Sequence, residues 1–213
     1  MVSPNTVSAR ELPLFPLQDV VLFPGSPLPL HIFEMRYRAM VTTILGTDRR
    51  FGVVMLDPDT AKSARVGCCA EIVDVKHLAD GRLNILTRGQ ERFQVLNFVQ
   101  EKPYLVGLVE WIEDRQPERD LSSPASEVAQ LLKHVVQLSA KLMDKQVKLP
   151  KEIPTEPQAL SYWVASNLYG VAAEQQHLLE MQDTEARLQR EADILTSLRN
   201  ELAARTALKE ALD

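Results

Sequence analysis

The sequence has few of the features that mark a catalytic, cofactor-binding or membrane protein. Its eight glycines never cluster and none precedes a lysine, so the loops that cradle nucleotide phosphates are excluded. The net charge is −5, which argues against general binding to nucleic-acid backbones. No apolar run reaches the roughly 20 residues of a membrane-spanning helix. The first ten residues lack the apolar core of a signal peptide, so we expect a cytoplasmic protein.

The two cysteines, Cys68 and Cys69, are adjacent, and neighbouring side chains on a strand point to opposite faces. An ordinary disulfide between them is therefore not expected. Together with His77 they are conceivable zinc ligands, but structural zinc sites supply paired Cys or Cys/His spacing, and we interpret the pair as part of a buried strand. Ser139 and Lys141 stand two residues apart on a helix, where side chains do not face each other. We predict no metal, no cofactor and no catalytic residues.

The first half of the chain has the two-residue period of strands, from Leu12 to about Trp111. Asp80-Gly81 between two apolar runs predicts a tight hairpin. One helix interrupts the strands, with Phe33 and the apolar residues that follow it on one face and Gly46 at its end. Glu34 and Arg38 are spaced to form an ion pair on this helix.

The stretch 113–124 is charged and contains prolines, and it predicts a domain boundary. Beyond it the apolar residues repeat with the period of a helix. A long last helix is expected from about Thr184 to near Leu212. We therefore predict a flexible N-terminus over 1–10, a strand-rich subdomain over 11–115 and a helical subdomain over 122–213.

The segment 13–40 combines large apolar residues with proline, and five of the thirteen prolines fall in its first 17 residues. Proline removes a backbone donor and is excluded from central strands. Pro24-Gly25 predicts a turn, with a short strand over 20–23 before it and an edge-like strand after it. Two interpretations stay open. The prolines only shape the wall of the fold, or they border an apolar groove for extended polypeptide.

The same segment resembles the start of the Lon protease N-terminal, substrate-binding domain family, whose opening run reads LPLxPLxDxVxFPGxxxPLxI. The matching residues are Leu12, Pro13, Leu14, Pro16, Leu17, Asp19, Val20, Val21, Phe23, Pro24, Gly25, Pro29, Leu30, Glu34 and Arg38. The similarity extends from residue 11 to about 200. It implies an α+β fold: a PUA-like mixed β-barrel with one inserted helix, followed by a C-terminal α-helical bundle that ends in a long helix.

The resemblance also implies a function, because this domain helps the complete protease to select and hold protein substrates. The sequence contains no Walker motif and no segment resembling the Ser–Lys peptidase, so we expect a standalone, non-enzymatic module that binds a protein or an unfolded polypeptide. Oligomerisation through the last helix is a further possibility. The candidate peptide-binding residues are Phe23, Pro24, Leu28, Pro29, His31 and Trp111.

Two alternatives remain. An RNA-binding PUA-like protein follows from fold alone, against the acidic charge balance. An enzyme with an unrecognised pocket would be tested by replacing Cys68 and Cys69 with alanine.

Overall fold

The computed structural model describes residues 9–143, 153–168 and 170–212. The elements in chain order are β1 (Arg10–Gln18), β2 (Pro27–Ile32), α1 (Met35–Leu45), β3 (Arg50–Leu56), β4 (Val66–His77), β5 (Leu83–Gln100), β6 (Leu105–Ile112), α2 (Ser122–Leu142), α3 (Pro157–Ser166), α4 (Ala172–Glu180) and α5 (Thr184–Leu212). They form two compact units. The strand unit holds residues 1–113 with 168–180, and the helical unit holds residues 114–167 with 181–213. Most of the predicted flexible N-terminus lies outside the described residues.

The six strands form one mixed sheet in the order β2-β5-β4-β3-β1-β6, and β5 also pairs with β6. This pairing explains the prolines of β1. Among the described residues, 10–13 pair only with β6, 15–18 pair only with β3, and Leu14 pairs with both, so Pro13 and Pro16 each have a ladder on one side. A proline is tolerated where its missing N–H would face no partner strand. Pro27 and Pro29 lie on β2, whose one partner strand among the described residues is β5.

Apolar side chains fill both faces of the sheet. On β4, Cys68 packs in one cluster with Phe51 and Tyr37, while Cys69 packs in the other with Phe93. Both thiols are free and fully buried, as expected for a strand covered on both sides. Burial raises the pKa of Cys69 to about 12 and that of Cys68 well above its ordinary value.

The predicted turn at Pro24-Gly25 is confirmed. Gly25 has a φ of +78°, and the N–H of Ser26 donates to the carbonyl of Phe23 at 3.1 Å. The turn rests on Gly89 of β5, where a Cβ would come within 2.1 Å of the Phe23 carbonyl oxygen. The strand predicted over 20–23 is wrong, because these residues lie in the connection that leads into the turn.

The last helix of the strand unit, α4, follows α3 in sequence but packs against β4. Gln176 donates through Nε2 to the carbonyl of Val66 at 3.1 Å, and Arg92 donates to the carbonyl of Leu179 at 2.6 Å. By its contacts this segment belongs to the strand unit, although it lies within the range 122–213 of the predicted helical subdomain.

In the helical unit, α5 packs along α2 and α3. Its Arg187 is completely buried and donates to the carboxylate of Asp114 at 2.5 Å and to the hydroxyl of Ser161 at 2.7 Å. Ser161 in turn donates to Glu191 at 2.8 Å. The α5 bounds confirm the predicted long helix from Thr184 to Leu212.

The mixed α+β fold is therefore confirmed, with a six-stranded sheet and five helices in the described part of the chain. The PUA-like mixed β-barrel that the resemblance implies is not confirmed by this sheet.

Candidate functional site

The structure separates the six residues predicted to bind peptide. Phe23 is fully buried and belongs to the core, while Pro24 is half-buried in the turn. Trp111 lies half-buried on β6, edge-on to Phe93 with 6.3 Å between ring centroids. It pairs with the half of β5 that starts at residue 92, whereas β2 pairs with residues 83–88. Trp111 is therefore not beside the β2 residues.

The remaining three candidates lie together on β2. Side chains alternate along this strand, so Leu28 turns toward the core while Pro29 and His31 are exposed. Directly opposite on β5 stand Leu86, which is 40% exposed, and Asn84. The Nδ1 atom of His31 lies 2.6 Å from Oδ1 of Asn84, which fixes the imidazole on the outer face of the sheet.

A continuous exposed surface extends from His31 toward the start of α1. The Phe33 ring stacks on the His31 ring with centroids 6.1 Å apart, and Nη1 of Arg82 lies 3.4 Å from Nε2 of His31. The guanidinium of Arg38 approaches Gly81 at the tip of the hairpin between β4 and β5. Its Nη1 atom donates to Sδ of Met35 at 3.5 Å. We call the five residues His31, Phe33, Met35, Arg38 and Arg82 the β2–α1 patch.

Two large apolar side chains of the β2–α1 patch are unusually accessible, since Phe33 is 61% and Met35 75% exposed. Burying such side chains against a partner removes apolar area from water and stabilises the complex. Nearby cations supply polar contacts around them. This combination of accessible apolar groups with flanking charge is what a protein-binding surface requires.

Most charges around the β2–α1 patch are already paired. Arg82 donates to Asp80 at 2.6 Å and Arg36 donates to Glu34 at 2.8 Å. The backbone N–H of Arg82, followed by its side chain, lowers the pKa of the Asp80 carboxyl, so this residue is anionic at neutral pH. The ion pair predicted between Glu34 and Arg38 is wrong, because Glu34 precedes the helix and its side chain turns to Arg36.

Four residues of the β2–α1 patch were missed by sequence reasoning, namely Phe33, Met35, Arg38 and Arg82. Phe33 read as part of the buried helical face, but the helix begins only at Met35 and its buried side starts at Tyr37. Glu34 was the sequence signal that could have placed Phe33 outside the helix. Acidic residues favour helix starts, so the residue before such an acid lies outside the helix. The approach of the hairpin to α1 has no local signal.

The free edge of β2 does not suit pairing with another strand. The Ser26 carbonyl accepts from the backbone N–H of Gly89 and the Leu28 carbonyl accepts from the Thr87 hydroxyl, so these even-numbered carbonyls face β5. Pro27, Pro29 and His31 therefore direct their backbone groups to the open side. Since proline has no N–H, only His31 offers a donor there. A ligand would be held by side chains rather than by a ladder.

Other parts of the described chain offer less. A cavity of about 300 Å³ in the helical unit is bordered by Arg119 and Glu185, but these two residues already pair with each other. Within the described residues, no group of three or more His, Cys, Asp or Glu side chains could hold a metal ion. None of the described helices combines the length and apolar character needed to cross a membrane.

Comparison with known proteins is consistent with the sequence motif. The family model described as the ATP-dependent protease La (LON) substrate-binding domain matches residues 11–197. Curated relatives include a Lon protease of Anaeromyxobacter dehalogenans, 29% identical over 94% of this chain, and Lon protease 2 of Myxococcus xanthus, 28% identical over the whole chain. These alignments cover 25% and 27% of the relatives, so the chain spans about a quarter of their length.

Solved structures share the fold. A Lon N-terminal domain protein from Xanthomonas campestris superposes with a TM-score of 0.63 at 27% identity, covering 85% of this chain and 96% of that one. The N-terminal domain of a Mycobacterium avium complex Lon protease gives a TM-score of 0.66 at 20% identity, covering 88% of this chain and 98% of that one. The second likeness supports the fold alone.

Proposed function

Because the chain belongs to the Lon substrate-binding domain family, we propose that it binds unfolded or extended polypeptide through the β2–α1 patch. The observation that carries the proposal is the exposure of Phe33 and Met35, at 61% and 75%, on a surface that also presents Arg38 and Arg82. The family resemblance read from the opening motif is confirmed. The identity of the polypeptide and the residues that contact it are the proposed part.

The proposed contact uses side chains in two ways. Phe33, stacked on His31, and Met35, at the first position of α1, supply flat or flexible apolar area. The outer face of β2 extends this area through Pro29 and Leu86. Phe23, Pro24, Leu28 and Trp111 support the strand unit or lie elsewhere on it, so we assign them no direct contact in the proposal.

We further propose that these 213 residues contribute binding and no catalysis. The family model that matches is the substrate-binding domain, and the sequence has no phosphate-cradling glycine motif. The protease activity of the full-length relatives is not transferred to this chain. At the level of fold, the PUA-like barrel remains a proposal. Its support is that β5, near one end of the strand order, pairs with β4 and also with β6 at the other end.

Binding of a reduced and alkylated protein, labelled with a fluorophore and followed by anisotropy, tests the proposal. Replacing both Phe33 and Met35 by alanine is expected to weaken binding by about tenfold, as for two moderate contact residues. Leu96 and Val99 are exposed apolar residues on the distal half of β5, at 45% and 46%, and their alanine variants serve as matched controls. The proposal fails if the Phe33/Met35 variant binds as tightly as the wild type.

A further inference from the structure

Arg38 holds more hydrogen-bond donors than the protein uses. Its guanidinium carries five N–H groups in a planar fork. Its side chain makes one hydrogen bond, from Nη1 to the thioether sulfur of Met35 at 3.5 Å, and sulfur is a weak acceptor. Across residues 9–143, 153–168 and 170–212, no carboxylate lies within ion-pairing distance of it, and the side chain is half-buried. The fork has room for an oxygen ligand.

Two arginines near it are already paired. Arg36 pairs with Glu34, and Arg82 pairs with Asp80. Glu34 is the acid expected to pair with Arg38, but its carboxylate accepts from Arg36 instead. Carboxylates are the ligands that match the geometry of a guanidinium fork in two parallel hydrogen bonds. The unused donors therefore point to a carboxylate from outside the chain.

The position of Arg38 also determines which groups would lie beside a bound carboxylate. Met35 lies directly on its guanidinium, and the hairpin that carries Arg82 connects it to the His31–Phe33 stack. A carboxylate bound at Arg38 would thus lie beside accessible apolar groups. Resting on the proposed polypeptide binding, we propose that the β2–α1 patch prefers segments in which an Asp or Glu side chain stands next to a large apolar residue, with Arg38 binding the acid.

The surroundings favour an internal acidic side chain over other anions. A chain terminus is usually captured by a nest of backbone N–H groups, whereas the open edge of β2 offers one N–H, that of His31. A nucleic-acid backbone would place many phosphates near Glu34 and Asp80, whose carboxylates lie on the same surface. The negative charges of these two carboxylates oppose binding of a polyanion. One or two acids in an apolar segment avoid that repulsion.

Three peptides of equal length, which differ in one side chain or in the C-terminus, test this preference. The first has Glu beside Phe and an amidated end, the second has Gln in place of Glu, and the third has Gln with a free terminal carboxylate. We expect the first to bind about fivefold more tightly than the second, the size of one partly exposed charge pair. Arg38→Gln should remove that difference, so that the variant binds the first and second peptides with equal affinity. Arg38→Lys should restore only part of the difference.

The controls separate this inference from the proposed function. Arg115→Gln removes an exposed arginine of the helical unit and should leave all three affinities unchanged. Equal binding of the first two peptides, still weakened by the Phe33/Met35 variant, would overturn the acid preference but keep the polypeptide function. If the third peptide binds more tightly than the first, Arg38 binds a C-terminal carboxylate rather than an internal acid. Salt-sensitive binding of single-stranded RNA that is tighter than the first peptide and lost in Arg38→Gln would also overturn the inference. If no peptide binds, the proposed function itself fails.

Discussion

The guanidinium of Arg38 lies against the backbone of Gly81, so closely that a Cβ at position 81 would come within 2.1 Å of Nη2. Gly81 has a φ of +80° at the tip of the hairpin between β4 and β5. The glycine therefore meets two needs, the left-handed backbone of the turn and the space for Arg38. Through this contact the hairpin determines where the arginine can present its donors.

Gly81→Ala is expected to move Arg38 and to strain the turn. The positive φ should cost about 1–2 kcal/mol in the free energy of unfolding. Because the crowded atom is the end of a flexible side chain, Arg38 should shift rather than the backbone, and the preference for the acidic peptide should fall. Chemical denaturation and peptide anisotropy measure the two effects.

Gly170→Ala is the matched control for this change. Gly170 has a φ of +78°, but a Cβ there would meet nothing within 4 Å. Its variant should lose similar stability and keep the acid preference. If both variants lose the preference equally, destabilisation and not the displacement of Arg38 is the cause.

The buried ion pair of Arg187 and Asp114 should contribute strongly to the stability of the helical unit. Their side chains are 0% and 4% exposed, and Arg187 also lies over the Tyr162 ring at 4.3 Å. Arg187→Met leaves a buried carboxylate without its charge partner and should cost about 3–5 kcal/mol. Urea denaturation measures the loss. Arg205→Met, which breaks an exposed pair with Glu201 on the same helix, should cost about 0.3–0.5 kcal/mol. Similar losses in both variants would contradict the prediction.

Cys68 and Cys69 should resist alkylation in the folded protein. The thiolate is the reactive form, and burial raises the pKa of both thiols, to about 12 for Cys69. Iodoacetamide at pH 8 should modify neither residue in native protein and both in urea, as measured by mass spectrometry. Rapid modification of the native protein would show that a thiol is accessible and would revive a catalytic role for it.

Local sequence chemistry predicted the two turns and the C-terminal end of α1. The Asp80-Gly81 and Pro24-Gly25 pairs form the turns expected of them, and α1 ends at Gly46. The two turns depend on the conformational freedom of glycine and on the fixed φ of proline, which act within a few residues, whereas Gly46 has an ordinary φ of −83°. The opening motif also identified the family, since it is long and its residues fall in fixed order.

Features that depend on distant contacts were not predictable in the same way. No local pattern marks Arg187 as buried, because its burial requires Asp114, 73 residues earlier. The packing of α4 on β4 likewise depends on Gln176 reaching Val66, 110 residues away. Oligomerisation through the last helix, the domain boundaries and a cytoplasmic location stay predictions.

The Glu191 carboxyl should make the protein less stable as the pH rises toward 8. Burial raises the pKa of this group to about 8, against the opposing effects of the Ser161 hydrogen bond and the Arg187 charge. One of its oxygens, Oε2, is buried without a partner among the described atoms. Between about pH 4.5 and 8 the unfolded chain has lost this proton while the folded chain keeps it, so stability falls by at most about 1.4 kcal/mol per pH unit.

Glu191→Gln replaces the protonated acid with a neutral amide that can still accept from Ser161. Relative to the wild type, the variant should gain roughly 3 kcal/mol in the free energy of unfolding between pH 5 and pH 7.5, because it no longer takes up a proton on folding. Urea denaturation across this range measures the difference. Glu127→Gln, at an exposed position on α2, should show a pH dependence parallel to the wild type. Parallel curves for Glu191→Gln as well would mean that the buried carboxyl is ionised in the folded protein, with its charge balanced by Arg187.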